Sequence, residues 1–282
     1  ETAEGAGGAR RGRVEEYAGA GAGGVSRSKV GVWELTGGAE TAGRDGLGGA
    51  VREAWIRGRW KKAVGCVPGV RKAVDDIGLH NCEAMDMMRG EETESFALVE
   101  RLGLAEPTVI VLPGSHSKFV SIDAKQRIDG CVTTLAGELL HVISHDTILA
   151  GSLKEGFAKR IDPEMLLAGA ASAKKIGLGR ACFSVRILDQ FAVYDANARA
   201  NFLLGAVLGS DLLTLKNSSA IRMSPGTRFV VSGKPILREA IGRLVEGDDF
   251  FSGTVTVLGD DEQRDLAGYG AIAVARQRGL LG

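Results

Sequence analysis

The sequence predicts an α/β fold with a partly parallel sheet, on three observations. Its last quarter alternates strand-like and helix-like runs, "TRFVVSG", "KPILREAIGRLV", "GTVTVLG" and "DLAGYGAIAVARQRG", the order of a sheet with crossover helices. Upstream, "TVIVLPG" is followed by "KFVSIDAKQRIDGCVTTL", a strand and then a hairpin turning at "DAKQR". A hydrophobic fraction of 44% over 282 residues is ample for a buried core, and no run reaches the roughly 20 apolar residues of a membrane span.

Taken in order, the first 50 residues hold a large share of the chain's 41 glycines and show neither helical nor strand period, except the alternating "KVGVWEL" (29–35). "LGGAVREAWIRGRWKKAV" (47–64) reads as an amphipathic helix weakened by glycine. "AVGCVPGV" reads as a short strand and turn, and "EETESFALVERLG" as a helix ended by Gly103. After the hairpin, "GELLHVISHDTILAG", "DPEMLLAGAASAKKIG", "CFSVRILDQFAVY" and "ARANFLLGAVLGSDLLTL" carry helical spacing.

Thirty-five basic residues balance 35 acidic ones, so neither nucleic acid nor an acidic membrane is the expected partner. The four cysteines lack CxxC or Cys/His spacing, against a disulfide framework or a zinc site. A soluble cytoplasmic protein acting on a small molecule is the expectation.

Four stretches carry candidate chemistry. In "MDMMRGEETE" (85–94), Arg89 and Gly90 precede Glu91 and Glu92 at a helix start, where carboxylates also serve simply to offset the helix dipole. In "LPGSHSKF" (112–119), a strand delivers Gly114, Ser115, His116, Ser117 and Lys118 to one turn, whose amides and cation suit a phosphate. That turn is neither a G-x-S-x-G elbow nor a P-loop. Glu138, His141 and His145 lack the HExxH order of a zinc site. "VVSGKP" and "LAGYGAIAVA" place small residues where either close packing or a nucleotide base would need them.

In sequence, "VPGV", "MRGEET", "LPGSHSKFV", "TLAGEL" and "ANFLLGAVLGSDL" resemble the 2-dehydro-3-deoxygalactonokinases, over roughly residues 64–282. The resemblance implies two ribonuclease-H-like (actin-like ATPase) domains around a cleft, divided here as 1–107 and 108–282. It implies ATP- and Mg²⁺-dependent phosphorylation of the terminal hydroxyl of 2-dehydro-3-deoxy-D-galactonate in galactonate breakdown. On this view Glu91 is the general base, with Glu92 or Asp86 in reserve, and Arg89, Gly90, Glu92 and Arg186 meet the substrate, Arg186 alternatively a phosphate. Gly114, Ser115, His116, Ser117 and Lys118 form a phosphate loop lined by Gly137 and Glu138, and Gly233 lies beside adenine. No metal ligand is singled out, and a homodimer is among the assemblies open to it.

One departure matters. The family's opening Asp-x-Gly-Thr/Ser-Thr-Asn turn, its first phosphate loop, is missing, and "WELTGG" (33–38) is the nearest substitute. The N-terminal domain is therefore expected to be incomplete and irregular over residues 1–63, with ATP turnover weak or absent. The rival reading is an inactive sugar-acid-binding or regulatory relative.

Overall fold

The computed structural model describes residues 69–277 except 73, 75 and 155, together with the backbone of 53–54 and 64–65. The expectations for "KVGVWEL", for "WELTGG" and for the order of residues 1–63 as a whole lie outside the described residues. Where Glu53–Ala54 (β1) is described, it pairs antiparallel with Val64–Gly65 (β2). The helix expected over 47–64 is therefore corrected. Three glycines weaken helix formation there, and the strand pair gives the backbone another set of partners.

A second short pair, Val70–Arg71 (β3) and Met87–Met88 (β4), leads into helix α1, Glu91–Leu102. Gly103 ends α1 in the left-handed conformation at φ 58°, which only glycine adopts without penalty. Three strands follow, Thr108–Leu112 (β5), Ser117–Ile122 (β6) and Ile128–Thr134 (β7). The β6–β7 turn falls at the expected "DAKQR". There Asp123 accepts hydrogen bonds from the amides of Lys125 and Arg127 and from the Arg127 guanidinium.

Helices α2 (Ala136–His145), α3 (Ala150–Leu153), α4 (Pro163–Ile176), α5 (Leu178–Phe191) and α6 (Ala196–Asn217) form the next layer. Asp162 and Asp195 cap α4 and α6 by accepting from the amides of Met165 and Ala198. Arg228–Val231 (β8), Pro235–Glu246 (α7), Val255–Val257 (β9) and Leu266–Gln277 (α8) complete the alternation. Among the described residues no helix is long and apolar enough to cross a membrane.

The main sheet runs β7-β6-β5-β8-β9, antiparallel across β7, β6 and β5 and parallel across β5, β8 and β9. Every residue of β5 is buried, because successive side chains enter opposite layers. Val109 and Val111 join Phe119, Phe229 and the α2–α7 side, whereas Ile110 and Leu112 join Val120, Val230 and the α1/α8 side. Helix α1 lies before residue 108, yet its Phe96, Leu98 and Val99 pack on this sheet.

Candidate active site

Strands β5 and β8 are adjacent and parallel, but the chain leaves them in opposite directions across the sheet. Such a divergence opens a crevice at the strands' carboxyl ends, a usual place for a ligand. A cavity of about 290 Å³ lies there, lined by Glu91 and Glu94 of α1, Leu112 to His116 of the β5–β6 turn, and Ser232 and Gly233 after β8. A second hollow of about 640 Å³ adjoins it through Glu94, Ser232 and Gly233, and reaches Gln263 and the start of α8 at Leu266–Gly268.

The structure thus brings Glu91, Gly114, Ser115, His116 and Gly233 to one cavity. Gly137 and Glu138 back the turn. The Glu138 amide donates to the Ser115 carbonyl at 3.1 Å, and the Glu138 carboxylate lies 3.0 Å from His116 Nε2, both side chains half exposed. A Cβ on Gly137 would stand 2.7 Å from Ser115 Cα and closer still to the Gly114 carbonyl oxygen. Only glycine lets helix α2 approach this turn so closely.

At the start of α1, Gly90 is the N-cap at φ 113°, outside the range most side chains tolerate. Glu91 Oε2 accepts from the Arg89 amide at 2.9 Å, and Glu92 Oε2 from the Gly90 amide at 2.6 Å. Both carboxylates thus cap the chain entering the helix, but their surroundings differ. Glu91 is half-buried and lines the cavity, whereas Glu92 is 1% exposed. Burial pushes the Glu92 carboxyl up to about 7, and burial followed by the Glu91 charge raises Glu94.

That shift has a consequence for stability. The folded protein keeps the Glu92 proton between pH 4.5 and about 7, while the unfolded chain releases it. Stability is full below the unfolded value and falls as pH rises through about 7, by on the order of 3 kcal/mol. Glu92→Gln keeps an oxygen for the Gly90 amide and cannot ionise. Urea unfolding should show the variant equal to the parent at pH 4.5 and more stable at pH 8; equal stability at both would refute the buried neutral acid.

The remaining expected residues lie elsewhere. Ser117 is buried in β6 at 1% exposure. Lys118 faces the α1 side of the sheet, where its Nζ donates to the Met87 carbonyl and Thr133 Oγ1. Asp86 accepts from the Thr133 amide and hydroxyl and from the Met87 amide, so both its oxygens are engaged. Arg89 and Gly90 lead the chain into α1 just before Glu91 and line neither hollow themselves. Arg186 sits on α5 and lines neither hollow.

Sequence reasoning passed over Glu94, Ser232 and Gln263. Glu94 was findable, since three residues after Glu91 it shares that helical face. Gln263 carries no local signal. Its side chain accepts from Ser232 Oγ at 2.8 Å and from the Gly233 amide at 2.7 Å, and its Nε2 donates to the Gly233 carbonyl at 3.1 Å. Arg238 adds a 3.0 Å bond to that carbonyl and pairs with Asp260. The turn stands at φ 102° against Pro113, whose Cγ would be 2.8 Å from a Cβ at Gly233.

A sequence profile of the family described as "2-keto-3-deoxy-galactonokinase" matches residues 39–249. A Rhizobium meliloti (strain 1021) protein named "Probable 2-dehydro-3-deoxygalactonokinase DgoK1" is 40% identical over 70 residues, 25% of this chain and 22% of its own. The Escherichia coli (strain K12) protein named 2-dehydro-3-deoxygalactonokinase is 28% identical over 174 residues, 57% of this chain and 52% of its own. The chain thus spans about half or less of these curated relatives. The crystal structure of a candidate 2-dehydro-3-deoxygalactonokinase from Sinorhizobium meliloti superposes with a TM-score of 0.64 at 25% identity, over 86% of this chain and 73% of the other.

Proposed function

Because the chain belongs to the 2-keto-3-deoxy-galactonokinase family, we propose that it phosphorylates the terminal hydroxyl of 2-dehydro-3-deoxy-D-galactonate. ATP would supply the phosphoryl group, and Mg²⁺ would neutralise its charge. The carrying observation is that a helix-start carboxylate, Glu91, and the Gly114–His116 turn line one cavity at the carboxyl ends of β5 and β8. Phosphoryl transfer needs mainly positioning, charge neutralisation and a base aimed at the acceptor hydroxyl.

In this reading the amides and hydroxyl of Gly114, Ser115 and His116 hold the phosphates. The fit rests on the close approach of Gly137, which braces the turn from behind. The neighbouring hollow around Gly233 and Leu266–Gly268 takes the nucleoside. Mg²⁺ commonly takes one or two carboxylates beside substrate phosphates, and Glu94, which lines the cavity beside Glu91, is the carboxylate that would hold it. Glu91 accepts the hydroxyl proton, and Arg89, two residues before it in the chain, is the candidate partner for the acid group of the sugar. The family match speaks for this kinase reading over an inactive sugar-acid-binding relative.

The direct test couples ADP release to a panel of 2-keto-3-deoxy sugar acids. Turnover is expected with the galacto-configured acid, and none with any member would overturn the proposal. Gly137→Ala should push the Ser115 turn out of place and weaken ADP binding by about tenfold, following the ~1.4 kcal/mol loss of one hydrogen bond to a charged group. Calorimetry showing parental affinity would remove the turn from phosphate binding.

A further inference from the structure

Lys118 stands at 7% exposure directly opposite Thr133 in the β6–β7 register. A lysine is seldom buried to this degree without partners, and here it has two. Its Nζ donates to Thr133 Oγ1 at 2.6 Å and, beyond the edge of the sheet, to the Met87 carbonyl at 2.8 Å. Thr133 Oγ1 in turn donates to Asp86 Oδ1 at 2.8 Å, and the Thr133 amide donates to Asp86 Oδ2. An ammonium, a hydroxyl and a carboxylate therefore tie the core strands β6 and β7 to β4. Two residues beyond β4 the chain reaches Gly90 and Glu91.

We propose that Lys118 is a positioning residue, whose ammonium, acting with Thr133 and Asp86, fixes the strand that carries Gly90 and Glu91 into the cleft, and that it does not bind the nucleotide's phosphates. Strand alternation supports this. Ser117 and Phe119 turn toward one layer, and Lys118 with Val120 toward the other, on the α1 side, and Lys118 is not among the residues lining the cavity. A point charge held by two oxygens cannot swing to an anion without giving up its bonds to the Met87 carbonyl and Thr133 Oγ1. The effect on catalysis rests on the reading of Glu91 as base, whereas the tether itself does not.

The test uses the full chain with Lys118→Met, which keeps the stem and removes the charge, and Thr133→Val, which removes the shared hydroxyl should the first variant fail to fold. Three readouts separate the outcomes. ADP affinity by calorimetry should stay within about twofold of the parent, whereas loss of a direct phosphate contact would lower it by about tenfold or more. Exchange of the Arg89 and Gly90 amides should quicken by on the order of tenfold as the strand loosens. Sugar-acid turnover should fall in kcat by on the order of 10–100-fold with little change in the KM for ATP, as for a displaced catalytic group. A tenfold loss of ADP affinity, or unchanged exchange at Arg89 and Gly90, overturns the proposal. If the parent itself turns over no sugar acid, the kinase reading fails, and calorimetry and exchange still decide the tether.

Discussion

Glu91→Gln is expected to lower kcat by on the order of 10²–10⁴ while ADP affinity stays near parental, as removal of a general base does. The substitution isolates basicity. Glutamine has the same shape and still offers an oxygen to the Arg89 amide, which Glu91 holds at 2.9 Å, so the helix start is preserved. Glu91 lines the cavity; of the reserve candidates, Asp86 has both oxygens bound by Thr133 and Met87, and Glu92 is buried. Steady-state kinetics with the galacto-configured sugar acid make the measurement. Near-full turnover would move the role to Glu94, the other carboxylate on this cavity.

The second large effect concerns stability. Helices α4 and α6 cross at glycines, and a Cβ on Gly205 would lie 2.7 Å from the Leu166 carbonyl carbon and one on Gly169 2.8 Å from that of Phe202. These are backbone contacts, so no side chain can rotate away. Gly205→Val should force the helices apart and loosen Leu166, Leu203 and Leu204, all at 2% exposure or less. Overpacking of this kind costs about 3 kcal/mol, a fall in Tm of about 6–12 °C for a domain of this size. Gly179, exposed in the first turn of α5 with nothing within 4 Å of its Cβ position, is the contrast. Gly179→Ala should instead stabilise by ~0.4–1 kcal/mol through helix propensity and unfolded-chain entropy. Calorimetric scans of the two variants settle both, and a Gly205→Val protein melting with the parent would refute the close crossing.

Both predictions mark how far the chain could be read as a string. Local chemistry determined the element types. "TVIVL" is uniformly apolar because β5 is covered on both faces, "DAKQR" turns because Asp123 gathers the amides around it, and Gly103 stops α1 because φ 58° suits glycine. The family resemblance also brought Glu91 and Gly114–His116 forward as one site. The segment "FLLGAVLGSDL" was legible as helix, but its Gly205 and Gly209 serve the crossing with α4, a partner some forty residues away.

Only the tertiary structure decided which way each polar group faces. Lys118 and Ser117 are neighbours of the turn in sequence, yet strand alternation sends them into opposite layers. Glu91 and Glu92 are adjacent and chemically alike, yet helical rotation leaves one on the cavity and buries the other. Gln263 enters the site because β9, paired parallel to β8, returns the chain beside it some thirty residues after Gly233. Sequence period fixes which residues share a strand or helix, since that repeat is a property of the local backbone. Burial and hydrogen-bond partners come from chain segments far apart, and those exist only once the sheet has assembled.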